Sequence, residues 1–352
     1  MAYQVEIEPT GDVIEVEDGQ TILDAALRQG VYIPHACSHG LCGTCKVEIL
    51  EGEVDYGAAS PFALMDMEKD EGKCLACTAT PMENTCVEAD IDEDPDAKSI
   101  AVQDFMGTVI EVKDLTPRIK GIFIELDDDI DFQAGQYIQY HVPGFDEPRA
   151  FSLCNSSNDK KVVELNVSLV PDGEATPWIH NNVKVGARRK ISGPYGRFFV
   201  RESAQKPMIF FAGGSGLSSP KSMILEQLEN SCDLPITLFH GARNQEELYY
   251  SDLFFELEKK YENFTYVPVL SDDDLEDWDG RTGFVTDAAV EIFENNFSGN
   301  KAYLCGPPPM LDACITTLMR GRLFEKDIYT EKFFSKADLN AENQRSPLFK
   351  SI

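Results

Sequence analysis

Positive charge is scarce in this 352-residue chain. Against 61 Asp and Glu stand only 31 Lys and Arg, for a net charge of −30. Nucleic-acid binding needs a basic footprint, so such acidity argues against that function. Long apolar runs are also missing. The longest near-apolar stretch, about residues 208–217, falls far short of the ~20 residues that a membrane helix needs. The opening Met1-Ala2-Tyr3-Gln4-Val5-Glu6 has neither the basic cluster nor the apolar core of a secretory signal. A cytoplasmic protein with no membrane partner is therefore expected. Histidine occurs five times, at His35, His39, His141, His180 and His240. These suggest no site and read as surface or turn residues. Internal repeats and low-complexity tracts are absent.

What is present is unevenly placed. Residues 1–100 carry 22 acidic against 5 basic side chains, a net −17, which suits docking on a basic protein surface. Six of the ten cysteines fall within residues 37–86. Disulfides are not expected in a reducing compartment, so metal is the first reading of that group.

At ~100–200 residues per domain, the length allows two or three domains. Residues 1–92 read as a small α+β unit: strands at 4–8 and 13–16 alternate around Pro9-Thr10-Gly11-Asp12, and Thr21 opens a short helix that Gly30 stops. Residues 93–102 are charged, hold Pro95 and lack periodicity, as a linker does. Residues 103–204 are strand-rich, predicting an antiparallel β-barrel with one helix near 175–183. Residues 205–352 alternate strands (208–212, 236–240, 264–269, 302–305) with helices (217–229, 245–260, 286–295, 310–320). That is the pattern of an α/β domain with a parallel sheet. The mostly polar tail, 336–352, finds no place in this scheme.

Cys37-Ser-His-Gly-Leu-Cys42-Gly-Thr-Cys45 has the C-x4-C-x2-C spacing of a plant-type [2Fe–2S] site, whose fourth ligand is distant. A short loop must wrap the cluster with thiolates and backbone N–H groups turned inward, and Gly40 and Gly43 permit the backbone angles this needs. Spacing leaves Cys74 and Cys77 both open as the fourth ligand. The setting Leu75-Ala76-Cys77-Thr78 resembles that of plant-type ferredoxins and implies Cys77, leaving Cys74 and Cys86 as buried small residues. The rival is a four-cysteine zinc ribbon from Cys42, Cys45, Cys74 and Cys77. It leaves Cys37 idle and does not explain the motifs between residues 149 and 333.

Those motifs come in the order Arg149-Ala-Phe151-Ser152, Gly173-Glu-Ala-Thr176 before a helix, Ser192-Gly-Pro-Tyr-Gly-Arg-Phe198, Ala212-Gly213-Gly214-Ser215-Gly216, Cys305-Gly306-Pro307 and Glu331-Lys-Phe333. Arg149 can pair with a diphosphate, Phe151 offers a flat face, and free N–H groups at a helix start near Thr176 make an anion site. Gly213 to Gly216 follow an apolar strand and open a helix, the arrangement that holds a dinucleotide diphosphate. The nearest Walker A candidate, 216–222, has Pro220 where glycine should precede Lys221.

The ordered set resembles the ferredoxin–NADP reductase superfamily over residues 103–334. That resemblance implies FAD on Arg149, Phe151, Ser152, Leu153, Gly173 and Thr176, with Phe151 standing where many relatives have Tyr. It implies nicotinamide coenzyme on Gly213, Gly214, Ser215, Gly216, Cys305, Gly306 and Pro307. It implies Ser152, Cys305 and Glu331 as the catalytic residues, and Phe333 as the aromatic that covers the second flavin face. Arg243 can meet a 2′-phosphate or make a surface ion pair; the resemblance favours NADH.

NADH gives two electrons at once and a [2Fe–2S] cluster takes one. Flavin can do both, so it must lie between them. Across its full length the chain resembles the reductase components of multicomponent phenol hydroxylases, through residues 16–21, 59–66, 212–220 and 302–310. The partner so implied is a di-iron hydroxylase; this chain has no E-x-x-H pairs of its own. The alternatives are the reductase of a Rieske aromatic-ring dioxygenase or of a methane or toluene monooxygenase. A redox sensor or carrier without NADH turnover is a further alternative, disfavoured by the intact flavin and nicotinamide motifs.

Overall fold

The computed structural model describes residues 2–92, 94–170, 172–272 and 278–332. Phe333 and the tail 336–352 lie outside the described residues. The chain divides into two compact units, with the boundary between Gln103 and Asp104.

In the first unit, β1 (Tyr3–Glu8) and β2 (Asp12–Val16) form the expected hairpin, with Val5 opposite Ile14. Val5, Ile7, Ile14 and Val16 are buried while the intervening residues face water, the period-2 alternation of a strand buried on one side. Helix α1 (Ile22–Arg28) starts at Thr21, whose hydroxyl accepts from Asp24 N at 3.3 Å. It buries Ile22, Leu23, Ala25 and Ala26. There follow β3 (Lys46–Glu51), β4 (Val54–Asp55), α2 (Asp66–Asp70), β5 (Lys73–Leu75), β6 (Thr80–Pro81) and β7 (Thr85–Ala89). The main sheet runs β2-β1-β7-β3-β5 with β1 and β7 parallel, a β-grasp around α1.

The second unit opens with an antiparallel sheet: β8 (Gln103–Asp114), β9 (Ile119–Leu126), β10 (Tyr137–Tyr140), β11 (Arg149–Ser152), β12 (Val162–Ser168) and, after helix α3 (Ala175–Asn182), β13 (Arg188–Tyr195). Its order is β11-β10-β13-β8-β9-β12. An antiparallel bridge between Leu153 and Leu165 joins the two outer edges, so the sheet nearly closes into a barrel. Ile122, Ile124, Ile138, Leu153 and Leu165 fill its interior.

A parallel sheet completes the unit: β14 (Met208–Gly213), α4 (Ser218–Glu229), β15 (Ile236–Ala242), α5 (Ser251–Lys260), β16 (Phe264–Leu270), β17 (Arg281–Thr282), α6 (Val285–Ile292), β18 (Lys301–Gly306), α7 (Pro308–Arg320) and β19 (Ile328–Lys332). The order is β17-β16-β15-β14-β18-β19, every pair parallel. β14 and β18 are buried along their whole length, as strands covered by helices on both faces must be.

Two expectations need correction. The helix expected over 245–260 breaks in two. A 3-10 turn covers Gln245–Glu247, and α5 starts only after Tyr250, which holds φ at 59°. The break turns two tyrosines inward: Tyr249 donates to Gly214 O at 2.9 Å and Tyr250 to Glu164 Oε1 at 2.5 Å. His35 and His240 are buried, not surface residues. His240 lies on β15 between β14 and β16, with Nδ1 3.0 Å from Tyr266 Oη. Burial pushes its imidazole down to about 3, so it stays neutral.

Candidate functional site

The cysteine loop links α1 to β3 and needs left-handed backbone at Ser38, Gly40 and Gly43. A Cβ at Gly40 would lie 2.8 Å from Thr78 Cγ2 and 3.1 Å from Ala58 O; at Gly43 it would meet Ala63 O at 3.1 Å. Glycine there lets the loop press on segment 57–64, and Ser60 N donates to Gly40 O at 2.9 Å. Backbone amides turn to sulfur, among them Gly40 N to Cys77 Sγ at 3.3 Å, and His39 N and Leu41 N to Cys37 Sγ, both at 3.4 Å.

The thiols come together two and two. Cys37 is hydrogen-bonded to Cys42, and Cys45 to Cys77. The first bond pulls Cys42 below the ordinary thiol range and holds Cys37 above it. Cys74 faces the core from β5 and makes no hydrogen bond to those four; desolvation pushes it up to about 12. Two thiol pairs with amides at their sulfurs fit a two-iron cluster, in which each iron takes two thiolates. A zinc ribbon needs four thiols converging on one point.

In the second unit a polar group forms where the barrel meets the parallel sheet. Glu331 Oε2, on β19, accepts from Ser219 Oγ at 2.6 Å and from Ser152 Oγ at 3.2 Å, with Cys305 Sγ at 3.9 Å. Ser152 ends β11, while Cys305 pairs with Glu331 across β18 and β19. Three residues far apart in sequence therefore share one carboxylate. Sequence reasoning missed the fourth, Ser219. Its signal was the polar cluster Ser218, Ser219, Lys221 and Ser222 on a helix start that is wholly buried.

Beside this group lies a cleft of ≈ 470 Å³ lined by Gly213 to Gly216, Gly306 and Pro307, with Arg243, Glu247 and Phe284 also on its walls. Gly214 holds φ at +56°, and a Cβ at Gly216 would lie 2.5 Å from Cys305 O. Only glycine lets the turn sit on the end of β18. Arg243 is gripped by both carboxylate oxygens of Glu247, one contact being 2.9 Å.

The remaining flavin candidates are more loosely placed. Phe151 is half-buried and meets Tyr140 edge-on, with centroids 6.1 Å apart. The α3 N-terminus has no side-chain cap; Thr176 Oγ1 accepts from Val170 N at 3.0 Å, and Gly173 N donates to Val170 O. Arg149 is turned onto its own loop, donating to Glu147 O at 2.8 Å and Pro148 O at 3.1 Å. Leu153 is wholly buried in the barrel core, with its amide donated to Gln136 O.

Desolvation pushes the Glu331 carboxyl up to about 7, against the pull of Ser219, Ser152 and Cys305. The folded chain thus keeps a proton that the unfolded chain releases near the ordinary value of 4.5. Stability from this group is lost as pH rises from there to about 7, on the order of 3 kcal/mol in all. Glu331→Gln is expected to match the wild type near pH 4.5 and exceed it by about 2–3 kcal/mol at pH 8. Urea denaturation at both pH values checks this; the same difference at both would rule out a raised carboxyl.

Three family models match the chain in order. They are a 2Fe-2S iron-sulfur cluster binding domain over residues 5–82, an oxidoreductase FAD-binding domain over 107–200 and an oxidoreductase NAD-binding domain over 210–315. The chain is 58% identical to the phenol 2-monooxygenase reductase component of Pseudomonas sp. (strain CF600), over 100% of both chains. It is 36% identical to the reductase subunit of an aromatic O-demethylase from Amycolatopsis sp. (strain ATCC 39116 / 75iv2), covering 92% of this chain and 96% of that one. A ferredoxin reductase in carbazole 1,9a-dioxygenase superposes with a TM-score of 0.78 at 26% identity, over 95% of this chain and 99% of its own. No helix among the described residues is long and apolar enough to cross a membrane. With all three domains matched and close identity over its whole length, the chain belongs to the family of phenol hydroxylase reductase components, which join a [2Fe–2S] domain to FAD- and NAD-binding domains.

Proposed function

We propose that this chain draws electrons from NADH and delivers them singly to a di-iron hydroxylase that converts phenol to catechol. The observation that carries the reading is the meeting of Ser152, from the barrel, with Cys305 and Glu331, from the parallel sheet, beside the glycine-lined cleft. When bound, FAD supplies the exchange between hydride and single electrons, and the [2Fe–2S] cluster carries one electron at a time.

The chain's own residues orient and protect. Phe151 offers a ring face to the flavin, and the uncapped start of α3 offers amides to its diphosphate. Arg149 must leave its loop carbonyls to join them. Gly213 to Gly216 cradle the coenzyme diphosphate, and Cys305 with Ser152 borders the atoms between which hydride passes. Cys37, Cys42, Cys45 and Cys77 hold the cluster. Glu247 neutralises Arg243, so a 2′-phosphate finds no free guanidinium there; this supports NADH over NADPH. Ten cysteines without a disulfide fit the reducing cytoplasm.

Separating the two halves of the path tests the reading. A Cys45→Ser chain should still reduce ferricyanide with NADH, because flavin can serve that acceptor, but should fail with cytochrome c. Ser152→Ala and Cys305→Ala should slow both acceptor activities alike, because flavin reduction itself slows about 100- to 1,000-fold, the range seen when one positioned polar group is lost, with the cluster's EPR signal intact. Equal loss of both acceptor activities in Cys45→Ser would refute a linear order.

A further inference from the structure

Helix α4 begins directly after the coenzyme turn, and its first seven residues, Ser218 to Ile224, are all buried. The polar ones are spent on neighbours. Ser222 Oγ donates to Asn155 O at 2.6 Å. Lys221 Nζ donates to Cys154 O at 3.1 Å and to Glu164 Oε2 at 2.7 Å, the two charged side chains being only 5% and 7% exposed. Cys154 and Asn155 continue the flavin strand two and three residues beyond Ser152. Glu164 belongs to β12 of the barrel, and its second oxygen accepts from Tyr250, whose ring centroid lies 4.6 Å from Lys221 Nζ. The neighbouring Tyr249 reaches back to Gly214 O in the coenzyme turn.

Burying two charges costs several kcal/mol per ion, and apolar side chains of similar volume are often equally stable or more so. What the ion pair adds is direction: a lysine held by both a carbonyl and a carboxylate has its partners at fixed angles and distances, which an apolar contact lacks. Hydride transfer needs the reacting atoms held within about 3–3.5 Å, and a misplacement of about 1 Å can cost ~100-fold in rate. We infer that Lys221 is a positioning residue for hydride transfer: by gripping Cys154 O and Glu164 together, it fixes the register of the coenzyme turn against the flavin strand. This role presupposes that NADH reduces FAD in this chain.

The test uses the full-length, cofactor-loaded chain. Removing Lys221 alone strands Glu164, so the informative variant is the triple Lys221→Met, Glu164→Leu, Tyr250→Phe, which removes the partners together. It should bind FAD and NADH as the wild type does and resist heat at least as well. Its flavin reduction, counted per bound flavin, should slow at least 10-fold, with a larger primary isotope effect from 4-deuterated NADH. Amide hydrogen exchange should rise together at 152–155 and 213–217. A wild-type rate and isotope effect, or a loss confined to NADH affinity, would overturn the inference. If NADH fails to reduce the flavin of the wild type itself, the functional reading fails instead.

Discussion

Replacing Cys77 with serine is expected to strip the N-terminal unit of both iron atoms, whereas Cys74→Ser should keep them. The two thiols are three residues apart and both buried, so neither spacing nor exposure separates them. Their neighbours do. Cys77 shares a hydrogen bond with Cys45 and accepts one from Gly40 N, which places its sulfur inside the cysteine loop. Cys74 is paired opposite Val47 in the sheet and packs in the core with Leu75 and Ala76. Burial raises both thiols, so it is the hydrogen bonds to the cysteine loop, made by Cys77 and not by Cys74, that separate them. Iron analysis and the EPR spectrum of the reduced protein decide the matter. Cys77→Ser should show neither iron nor a rhombic signal, and its NADH–cytochrome c activity should vanish while ferricyanide reduction persists. Cys74→Ser should retain about the full signal and lose only some packing. If Cys74→Ser loses the iron and Cys77→Ser keeps it, the fourth ligand is assigned to the wrong thiol.

Whether a feature is legible in the sequence depends on whether it is local. The β1–β2 hairpin, the Thr21 cap and the cysteine loop were legible because each is set within a few residues by alternation, a hydroxyl or a glycine. The parallel sheet was legible because buried strands read as unbroken apolar runs, such as Met208 to Ala212. What escaped is what long-range packing decides. The polar residues at 218–222 hint that Ser219 has a buried partner, but not that the partner is Glu331, 112 residues away. The break at Tyr250 was hidden because the sequence 245–260 has no proline or glycine; the left-handed Tyr250 is held by Glu164 and its neighbour Tyr249 by Gly214, both from elsewhere in the fold. His240 read as a surface residue because one imidazole in an apolar strand carries no sign of what Tyr266 will offer it. Cys305 and Glu331 entered by resemblance, and the geometry then joined them to Ser152 and Ser219.

Electron delivery to the hydroxylase is expected to fall steeply as salt rises, while NADH–ferricyanide activity in the same buffers changes little. The net −17 of residues 1–100 belongs to the unit that holds the cysteine loop. An electron-transfer complex must form fast and also separate fast, and charge steering raises encounter rates more than it deepens affinity. The acidic residues 66–71 differ in how much of their charge is free to act outward. Glu68 is tied to Lys46 at 2.5 Å and Glu71 to Lys73 at 2.9 Å, so much of their charge is spent inside the chain. Asp66 is 97% exposed at its side chain and bonds only loosely to Lys69 at 3.2 Å, and Asp70 is exposed. Phe62, in the segment that the cysteine loop presses on, is 98% exposed and so is open to an apolar partner. Steered rates exceed unsteered ones by about 10- to 1,000-fold, and the Debye length shrinks from ~10 Å at 0.1 M to ~3 Å at 1 M. A drop of at least 10-fold in the stopped-flow rate of cluster oxidation by the hydroxylase is therefore expected across that range. Asp66→Asn with Asp70→Asn should flatten the dependence, and Glu68→Gln should alter it less. A rate that stays level or climbs with salt would mean that docking is mainly apolar, with Phe62 rather than the carboxylates at its centre.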